Sequence, residues 1–212
     1  MQSLSPLIRL TKLRRLKISF DGTKDLTPLG KLTQLRELDL SAPDGARLSF
    51  IGKLQQLKHL ALYRPRIRDW SFLRSLKRLK SLDLTAKLQD LTFLVGLKLE
   101  QLSLSSSRVA SWPALARLRS VRSLDLSSSN FADAKTLWAL TELRELNLSG
   151  TAVRDLSPLI RLQQLTSLDI RSTKVLSIAP LLRLRRLLID KKVPKADIDA
   201  LRRKNAQLVV VR

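Results

Sequence analysis

The sequence predicts an α/β solenoid in which stacked rows of the chain form one parallel β-sheet. Two observations support this fold class. The chain of 212 residues aligns with itself in rows of 21 or 22 residues, almost without gaps. Within each row, apolar residues three positions apart give way to a pair of leucines two positions apart, so a helical period changes to a strand period. We therefore expect a right-handed, curved solenoid with strands on the concave side and short 3-10 or helical segments on the convex side.

The rows define the predicted domain organisation. Eight near-regular rows begin at these residues: Leu4, Leu26, Leu48, Trp70, Leu91, Trp112, Ala134 and Leu156. A shortened ninth row begins at Ile178, so the repeats are predicted over 4–190. A C-terminal cap is predicted over 191–212, with a helix over Lys195–Lys204 and a last strand over Leu208–Val211. Such a cap would shield the final row from water.

The first row has no comparable cap in the sequence. It is guarded only by cationic side chains at Lys12, Arg14, Arg15 and Lys17. Charge is one way to prevent an edge strand from pairing with another chain. Either a preceding segment completes this end, or the edge meets a partner.

A polar residue stands before the helical segment of most rows. These residues are Asp25, Asp69, Asp90, Ser111, Asp133, Asp155 and Ser177. A side-chain oxygen at the start of a helical turn can accept a hydrogen bond from a backbone N–H that lacks a partner. We predict that these residues cap the convex segments, so their role is structural first.

The pattern D-L-S-P-L-x-x-L-x-x-L-x-x-L-D-L, read from Asp155 onward with Ile170 in the last place, recurs through the chain. It resembles the 22-residue leucine-rich repeat of bacterial internalin-like proteins and of the phosphatase-regulating class, over about nine tenths of the sequence. The resemblance implies that the strands line a concave face that binds protein partners. It also implies an asparagine after each strand, where this chain has Asp21, Pro43, Pro65, Lys87, Ser107, Ser129, Thr151 and Thr173. A continuous asparagine ladder is therefore not expected.

The charge divides between the two faces of the predicted sheet. The chain has a net charge of +22, which by itself suggests a nucleic acid or another anionic surface as partner. The three columns of residues that should face solvent on the concave side nevertheless carry three positive and six negative side chains. Their net charge is −3, which leaves +25 for the rest of the chain. The protein should be electrostatically two-faced.

The leading functional hypothesis follows from this division. We predict a non-catalytic protein-interaction module that binds a protein of unknown identity on the concave face. The candidate binding residues are Glu37, Asp39, His59, Tyr63, Asp83, Asp125, Glu145 and Asn147. Carboxylates and serines in this strip would accept lysine or arginine side chains of a partner, and Tyr63 is a candidate anchor. Plain solvation of the same polar strip is the competing interpretation.

An alternative places the partner on the cationic edge of the sheet. The basic rim comprises Arg14, Arg36, Lys58, Lys80, Arg122 and Arg144, interrupted by Glu100 and Thr166. A patchier outer column comprises Arg9, Lys31, Lys53, Arg117, Arg161 and Arg183. Like charges on neighbouring rows repel, so the rim favours an anionic companion such as nucleic acid. In the competing interpretation, the same cations keep a leucine-rich chain in solution. In a third interpretation the chain is the sensor or adaptor portion of a longer protein.

Several function classes are not supported by the sequence. The chain has no cysteine, one histidine and six glycines that form no phosphate-binding string. Carboxylates two rows apart, about 10 Å, are too far apart to chelate a metal, so no metal and no cofactor are expected. We predict no enzymatic activity. The lack of cysteine and of a long apolar run favours a cytoplasmic location without a transmembrane segment.

Overall fold

The fold is given by a computed structural model that describes residues 5–19, 25–41, 44–178, 181, 184–190 and 192–211. Ten strands form one parallel sheet, in which each strand pairs with the next row of the chain. They are β1 (Arg15–Ser19), β2 (Glu37–Ser41), β3 (His59–Tyr63), β4 (Ser81–Thr85), β6 (Gln101–Ser103), β8 (Ser123–Asp125), β9 (Glu145–Asn147), β10 (Ser167–Asp169), β11 (Arg186–Leu188) and β12 (Val209–Val211). Two further strands, β5 (Lys87–Leu88) and β7 (Arg108–Val109), form a small parallel sheet that the sequence did not predict. The predicted solenoid is confirmed.

Short 3-10 helices return the chain from one strand to the next. They span Thr27–Lys31, Ser49–Lys53, Ser71–Ser75, Thr92–Leu94, Pro113–Arg117, Ala134–Leu137 and Ser157–Arg161. The first row begins with a four-residue helix, α1 (Ser5–Ile8), and the ten-residue helix α2 (Lys195–Lys204) follows β11. Each of these 3-10 helices has three to five residues, a length typical of this tight geometry.

The core is a set of leucine columns that run through the stack. The register places Leu38 against Leu60 and Leu60 against Leu82, and both flanking positions of each strand are equally aligned. Leu38, Leu60 and Leu82 have no exposed surface. Truncating one such buried leucine to alanine typically costs about 2–5 kcal/mol. Each row thus completes the core of its neighbours.

Aspartate caps hold the beginning of most 3-10 helices. The Oδ1 atom accepts the backbone N–H two residues further on, at 2.8–3.0 Å, from Asp25, Asp69, Asp90, Asp133 and Asp155. Ser111 makes no such bond, because the residue two positions on is Pro113, which has no N–H. For Ser177 the corresponding residue is 179, outside the described ranges. The prediction of caps is therefore confirmed for the five aspartates.

Hydroxyl groups replace the asparagine ladder in the C-terminal half of the stack. The buried Ser129, Thr151 and Thr173 each donate to the carbonyl oxygen three residues earlier, at 2.5–2.6 Å. Ser107 instead donates to the carbonyl oxygen of Leu84 in the preceding row. Pro65 is buried and Lys87 is exposed at the equivalent positions, while Asp21 and Pro43 lie outside the described residues. In these four rows a side-chain hydroxyl thus donates to a backbone carbonyl oxygen near the end of a strand.

The two ends of the stack differ in how they meet solvent. At the C-terminal end, helix α2 has the predicted bounds, and Ile198, Leu201 and Leu208 are buried. At the other end, Leu10 is 52% exposed and Leu16 is only half-buried. The cap predicted over 191–212 therefore contains the expected helix and strand. The division of the chain near residue 190, and the beginning of the repeats at Leu4, which is not among the described residues, remain predictions.

We expect Asp155→Ala to lower the midpoint of thermal unfolding near neutral pH. Hydrogen bonds from the backbone N–H and hydroxyl of Ser157 lower the pKa of Asp155 from its ordinary value of 3.8. A lowered pKa stabilises the fold above the ordinary value, and this contribution is lost as the pH falls through the folded-state pKa. The difference between variant and parent should therefore shrink towards about pH 2.5, which circular dichroism melts would measure.

Asp155→Asn is the matched control, because it keeps an acceptor oxygen for the Ser157 N–H without a titrating group. Its difference from Asp155→Ala should not shrink in acid. A gap between parent and Asp155→Ala that stays constant down to about pH 2.5 would contradict the role of the ionised carboxylate.

Candidate functional site

The strands align the predicted binding residues into columns. The register runs from Lys17 to Asp39, Ala61, Asp83, Ser103, Asp125, Asn147 and Asp169. Neighbouring residues of one column are about 4.8 Å apart, as in any parallel sheet. The two adjacent columns contain the remaining candidates, Glu37, His59, Tyr63 and Glu145. We call the solvent-facing side of the sheet formed by these three columns the strand face.

Ion pairs neutralise the first rows of the strand face. Arg15 Nε lies 3.0 Å from Glu37 Oε1, and Lys17 Nζ lies 4.0 Å from Asp39 Oδ2. His59 Nε2 lies 3.3 Å from the other oxygen of Asp39. Exposed pairs of this kind contribute little to stability, but they occupy the carboxylates. Glu37 and Asp39 are consequently poorer acceptors for a partner than the sequence suggested.

His59 connects Asp39 to Ser81 across three strands. Its Nδ1 lies 3.0 Å from Ser81 Oγ and its Nε2 lies 3.3 Å from Asp39 Oδ1, so the ring bridges the hydroxyl and the carboxylate. The order of groups is that of a hydrolytic triad. However, the backbone N–H of Ser81 donates to the carbonyl oxygen of Lys58 at 3.0 Å and cannot stabilise an oxyanion there. The geometry therefore favours positioning of His59 over nucleophilic catalysis.

Asp83 is a half-buried carboxylate that makes no ion pair or hydrogen bond to any residue that the structure describes. Burial, and the charges of Asp39 and Asp125, raise its pKa above the ordinary value, against an opposing effect of His59. Beside it, Ala61 has no exposed surface, whereas Tyr63 is 41% exposed. Burial, and the charges of Asp39 and Asp83, raise the pKa of Tyr63. Asp83 and Tyr63 thus present an acceptor and an aromatic ring together.

A depression of about 290 Å³ crosses the strand face at β8 to β11. Asp125, Glu145 and Asn147 all line it, which brings together three of the predicted residues. Asp125 and Asn147 each accept the backbone N–H two residues further on, so these strands end there and the side chains are fixed. Glu145 is exposed and accepts from the Ser123 hydroxyl at 3.0 Å. Asp169 and the exposed Arg186 also line the depression, so its acids outnumber its one cation.

The last described aspartate of the strand face is internally compensated. Asp169 accepts both Nε and Nη2 of Arg171, two residues further along the chain, with a shortest distance of 2.6 Å. Its exposed surface is only 8%. Three of the six acidic residues of the strand face, Glu37, Asp39 and Asp169, therefore have a cationic partner. The uncompensated negative charge is confined to Asp83, Asp125 and Glu145 among the residues that the structure describes.

The basic rim lies immediately before the strands. All six of its predicted side chains are exposed: Arg14, Arg36, Lys58, Lys80, Arg122 and Arg144. Lys80 pairs with Glu100 at 2.6 Å, and this hydrogen bond and charge lower the pKa of Glu100. The backbone carbonyl oxygens of the rim residues continue the hydrogen-bond ladder of the sheet. For example, the carbonyl oxygen of Arg14 accepts from the N–H groups of Arg36 and Glu37. The rim is thus a row of exposed cations along one edge of the sheet, interrupted at Glu100 and Thr166 as expected.

A second cationic feature escaped the sequence interpretation. A cavity of about 790 Å³ lies beside the C-terminal ends of β3 and β4, on the opposite edge from the rim. We call it the lateral groove, and its cationic residues are Arg64, Arg66, Arg68, Lys87 and Arg108. The signal in the sequence was the alternation R-P-R-I-R followed by a row that is one residue short. Columns counted along the strands do not reveal it, because its residues come from the segments that leave the strands.

The described ranges contain neither a metal-binding cluster nor a membrane-spanning helix. No group of three or more His, Cys, Asp or Glu side chains there could hold a metal ion. Neither helix there has the length and apolar character needed to cross a bilayer.

Comparison with known proteins identifies the fold. No family model and no curated protein matches the sequence. An internalin, InlF of Listeria monocytogenes, superposes over 98% of this chain and 63% of its own with a TM-score of 0.77 at 22% identity. Internalin C2 of the same species superposes over 86% of this chain and 84% of its own, with a TM-score of 0.71 and 21% identity. The fold is a leucine-rich repeat solenoid.

Plant receptors share this leucine-rich repeat fold. The peptide hormone receptor RGFR1, solved in complex with RGF2, matches 97% of the chain with a TM-score of 0.62 and 16% identity. The chain spans 63% of the length of InlF and 40% of that of RGFR1. The resemblance to internalin-like repeats, read from the sequence, is confirmed at the level of the fold.

We expect Asp83→Asn to raise the midpoint of thermal unfolding of the solenoid near pH 7. Burial raises the pKa of Asp83, so its negative charge opposes folding, and stability is lost as the pH rises through the folded-state pKa. The gain should disappear when the pH falls below the ordinary value of 3.8, where both states hold the proton. Melts of parent and variant between about pH 3 and pH 8 measure this difference.

Asp125→Asn removes one negative charge from the same column but keeps an oxygen for the Ser127 N–H, and it should give a smaller gain. Equal gains from the two variants would show that column charge, rather than burial of Asp83, controls stability.

Proposed function

We propose that this leucine-rich repeat solenoid is a protein-interaction module that binds its partner on the strand face. The observation that carries the proposal is the depression lined by Asp125, Glu145 and Asn147, together with Asp83, which makes no ion pair or hydrogen bond to a described residue. These side chains are held by a sheet, which positions a site more precisely than loops do. The proposed site contains all eight residues predicted from the sequence. Glu37, Asp39 and His59 lie at its edge, where they already form ion pairs within the chain.

The chemistry of the strand face favours a cationic segment of the partner. A lysine or arginine placed at Asp83 would relieve the penalty that burial imposes on its charge. Asp125 and Glu145 offer further carboxylate oxygens at two-row and three-row distances from Asp83. Tyr63 supplies an aromatic surface beside the first of these positions, and such residues commonly anchor interfaces. A basic, extended peptide or loop matches this arrangement.

The fold neighbours support the same class of function. RGFR1 is a plant peptide hormone receptor that was solved in complex with RGF2. We infer that the present chain performs no chemistry, since His59 and Ser81 lie on an open sheet whose nearest N–H group is already bonded. The cytoplasmic location expected from the cysteine-free sequence remains part of the proposal.

A second candidate is binding of nucleic acid through the basic rim. It is favoured by the exposure of all six rim cations, with only Lys80 paired to an acid among the described residues. Phosphate contacts of this type release counterions, so affinity for an oligonucleotide would fall steeply with salt. Absence of binding near about 50 mM salt would reject the candidate. The sensor or adaptor interpretation is compatible with either surface and concerns the length of the native polypeptide.

The strand-face triple variant Asp83→Asn/Asp125→Asn/Glu145→Gln should lose a specific partner that the parent captures from an extract of the source organism. Removing three acceptors that each contribute about 0.5–1 kcal/mol predicts a loss of affinity of about tenfold or more. Capture after nuclease treatment, with quantification of the bound protein, measures this loss. Purified partner then gives the dissociation constants directly.

The rim triple variant Arg36→Gln/Lys58→Gln/Arg144→Gln is the matched control, since it changes three charges on the adjoining edge of the same sheet. It should retain the partner. Unchanged capture by the strand-face variant, or equal loss by both variants, would remove the strand face as the binding site. Loss of capture on nuclease treatment would favour the rim.

A further inference from the structure

The lateral groove results from a difference in length between adjacent rows. Eight positions separate Leu62 from Trp70 in the third row, whereas seven separate Leu84 from Leu91 in the fourth. The shorter fourth row leaves β3 and β4 in full register, so the missing residue is lost from the segment beyond the sheet. The segment that follows β3 is therefore one residue longer than the segment that follows β4. The lateral groove lies between these two segments.

Alternation along the third row directs arginines towards this recess. Pro65 is buried and Ile67 is half-buried against the core, so the intervening Arg64, Arg66 and Arg68 turn outward and are exposed. Arg64 has a positive φ of 50°, so the chain bends there rather than continuing as a strand. All three arginine side chains nevertheless line the same groove.

The small second sheet supplies the remaining two cations. Lys87 of β5 and Arg108 of β7 are direct register partners, and both side chains are exposed. Like charges on directly paired residues destabilise a sheet. The pairing persists because Ala86 and Leu88 accept hydrogen bonds from Arg108 and Ala110 at 2.9 Å. Two cations are thereby kept close together by the backbone.

These five cations outnumber the acids near them in the described part of the chain. The lining of the groove contains no acid, and the one described ion pair is between Arg66 and Asp44 at 2.8 Å, with both side chains mostly exposed. Arg68 and Lys87 also line an adjoining depression with Asp69 and Asp90, whose carboxylates accept from Ser71 and Thr92 and keep their negative charge. The groove therefore has an excess of positive charge around an apolar floor of Pro65, Ile67 and Ala86.

The shape of the groove favours a small anion over a polymer. Its volume of about 790 Å³ is within the range of pockets that bind small molecules. No aromatic side chain lines it, and the neighbouring Trp70 and Phe93 are buried and stacked on each other at 5.0 Å. Single-stranded nucleic acids rely on aromatic faces for stacking, which are missing from this lining. Guanidinium groups instead match phosphate oxygens in geometry and charge.

We propose that the lateral groove binds a compact soluble polyanion that carries two or more phosphate groups, through Arg64, Arg66, Arg68, Lys87 and Arg108. The site is independent of the strand face, because it lies on the segments that follow the strands. The three arginines would contact one side of the ligand and the Lys87–Arg108 pair the other. The apolar floor would exclude water from beneath the ligand and strengthen these contacts.

Inorganic tripolyphosphate is the probe for this site, titrated into the full chain by calorimetry at about 50 mM salt. We expect saturable binding with one site per chain, weaker binding of orthophosphate, and a rise in the melting temperature with tripolyphosphate concentration. Arg68→Gln/Lys87→Gln/Arg108→Gln should weaken binding at least tenfold. These substitutions avoid Arg64, which has a positive φ of 50°, and Arg66, which pairs with Asp44.

The rim variant Arg36→Gln/Lys58→Gln/Arg144→Gln also loses three positive charges, and it should bind tripolyphosphate within twofold of the parent. This comparison separates binding at one site from general electrostatic attraction. Equal weakening in both variants, or no saturable binding by a folded parent, overturns the proposal. Tighter binding of an oligonucleotide or of vesicles with phosphorylated headgroups, with the same dependence on Arg68, Lys87 and Arg108, also overturns it, in favour of a macromolecular or membrane ligand. Partner capture by the strand face is measured separately and does not depend on any of these outcomes.

Discussion

Each row of this solenoid can bury its leucines only against the leucines of the adjacent rows. A single row of 21 or 22 residues has no interior of its own, and its apolar side chains become a core only when the stack is formed. Leu38, Leu60 and Leu82 show the result, since they occupy equivalent positions and have no exposed surface. The constraint fixes the parallel register, and the register fixes which surface residues become neighbours. The strand face is a direct consequence of that alignment.

Much of the fold was accessible from the sequence because the constraint repeats. The spacing of leucines predicted the sheet, the aspartates predicted the helix caps, and the polar and apolar pattern predicted the bounds of the C-terminal helix. The cap at Ser111 failed for a local reason, because Pro113 has no N–H to donate. The leucine pattern also does not give the length of each strand. Asp125 and Asn147 capture a following N–H and end their strands after three residues, which a leucine pattern does not reveal.

The candidate site was only partly predictable, because sequence columns assign residues to a face without assigning their partners. A count of charges gave the strand face six acids and three cations, but the cations lie next to particular acids rather than being spread evenly. Arg15, Lys17 and Arg171 thereby neutralise the two ends of the strip and leave its centre acidic. Rotamers and distances decide this, and they depend on the packed structure. The lateral groove was missed for a related reason, since it is formed by a mismatch between rows rather than by their regularity.

The short fourth row shows how a repeat protein can change shape without changing its fold. Its missing residue lies outside the sheet, so Tyr63 still pairs with Thr85 and Ser81 still pairs with Gln101. Adjusting the length of such a connection costs little free energy compared with disturbing a leucine column. Deletion of one codon in an exposed connection can therefore open a concavity on the flank while the neighbouring core is untouched. Drift in repeat length, usually regarded as decay of a once uniform array, becomes in this architecture a source of new surface relief on which selection can act.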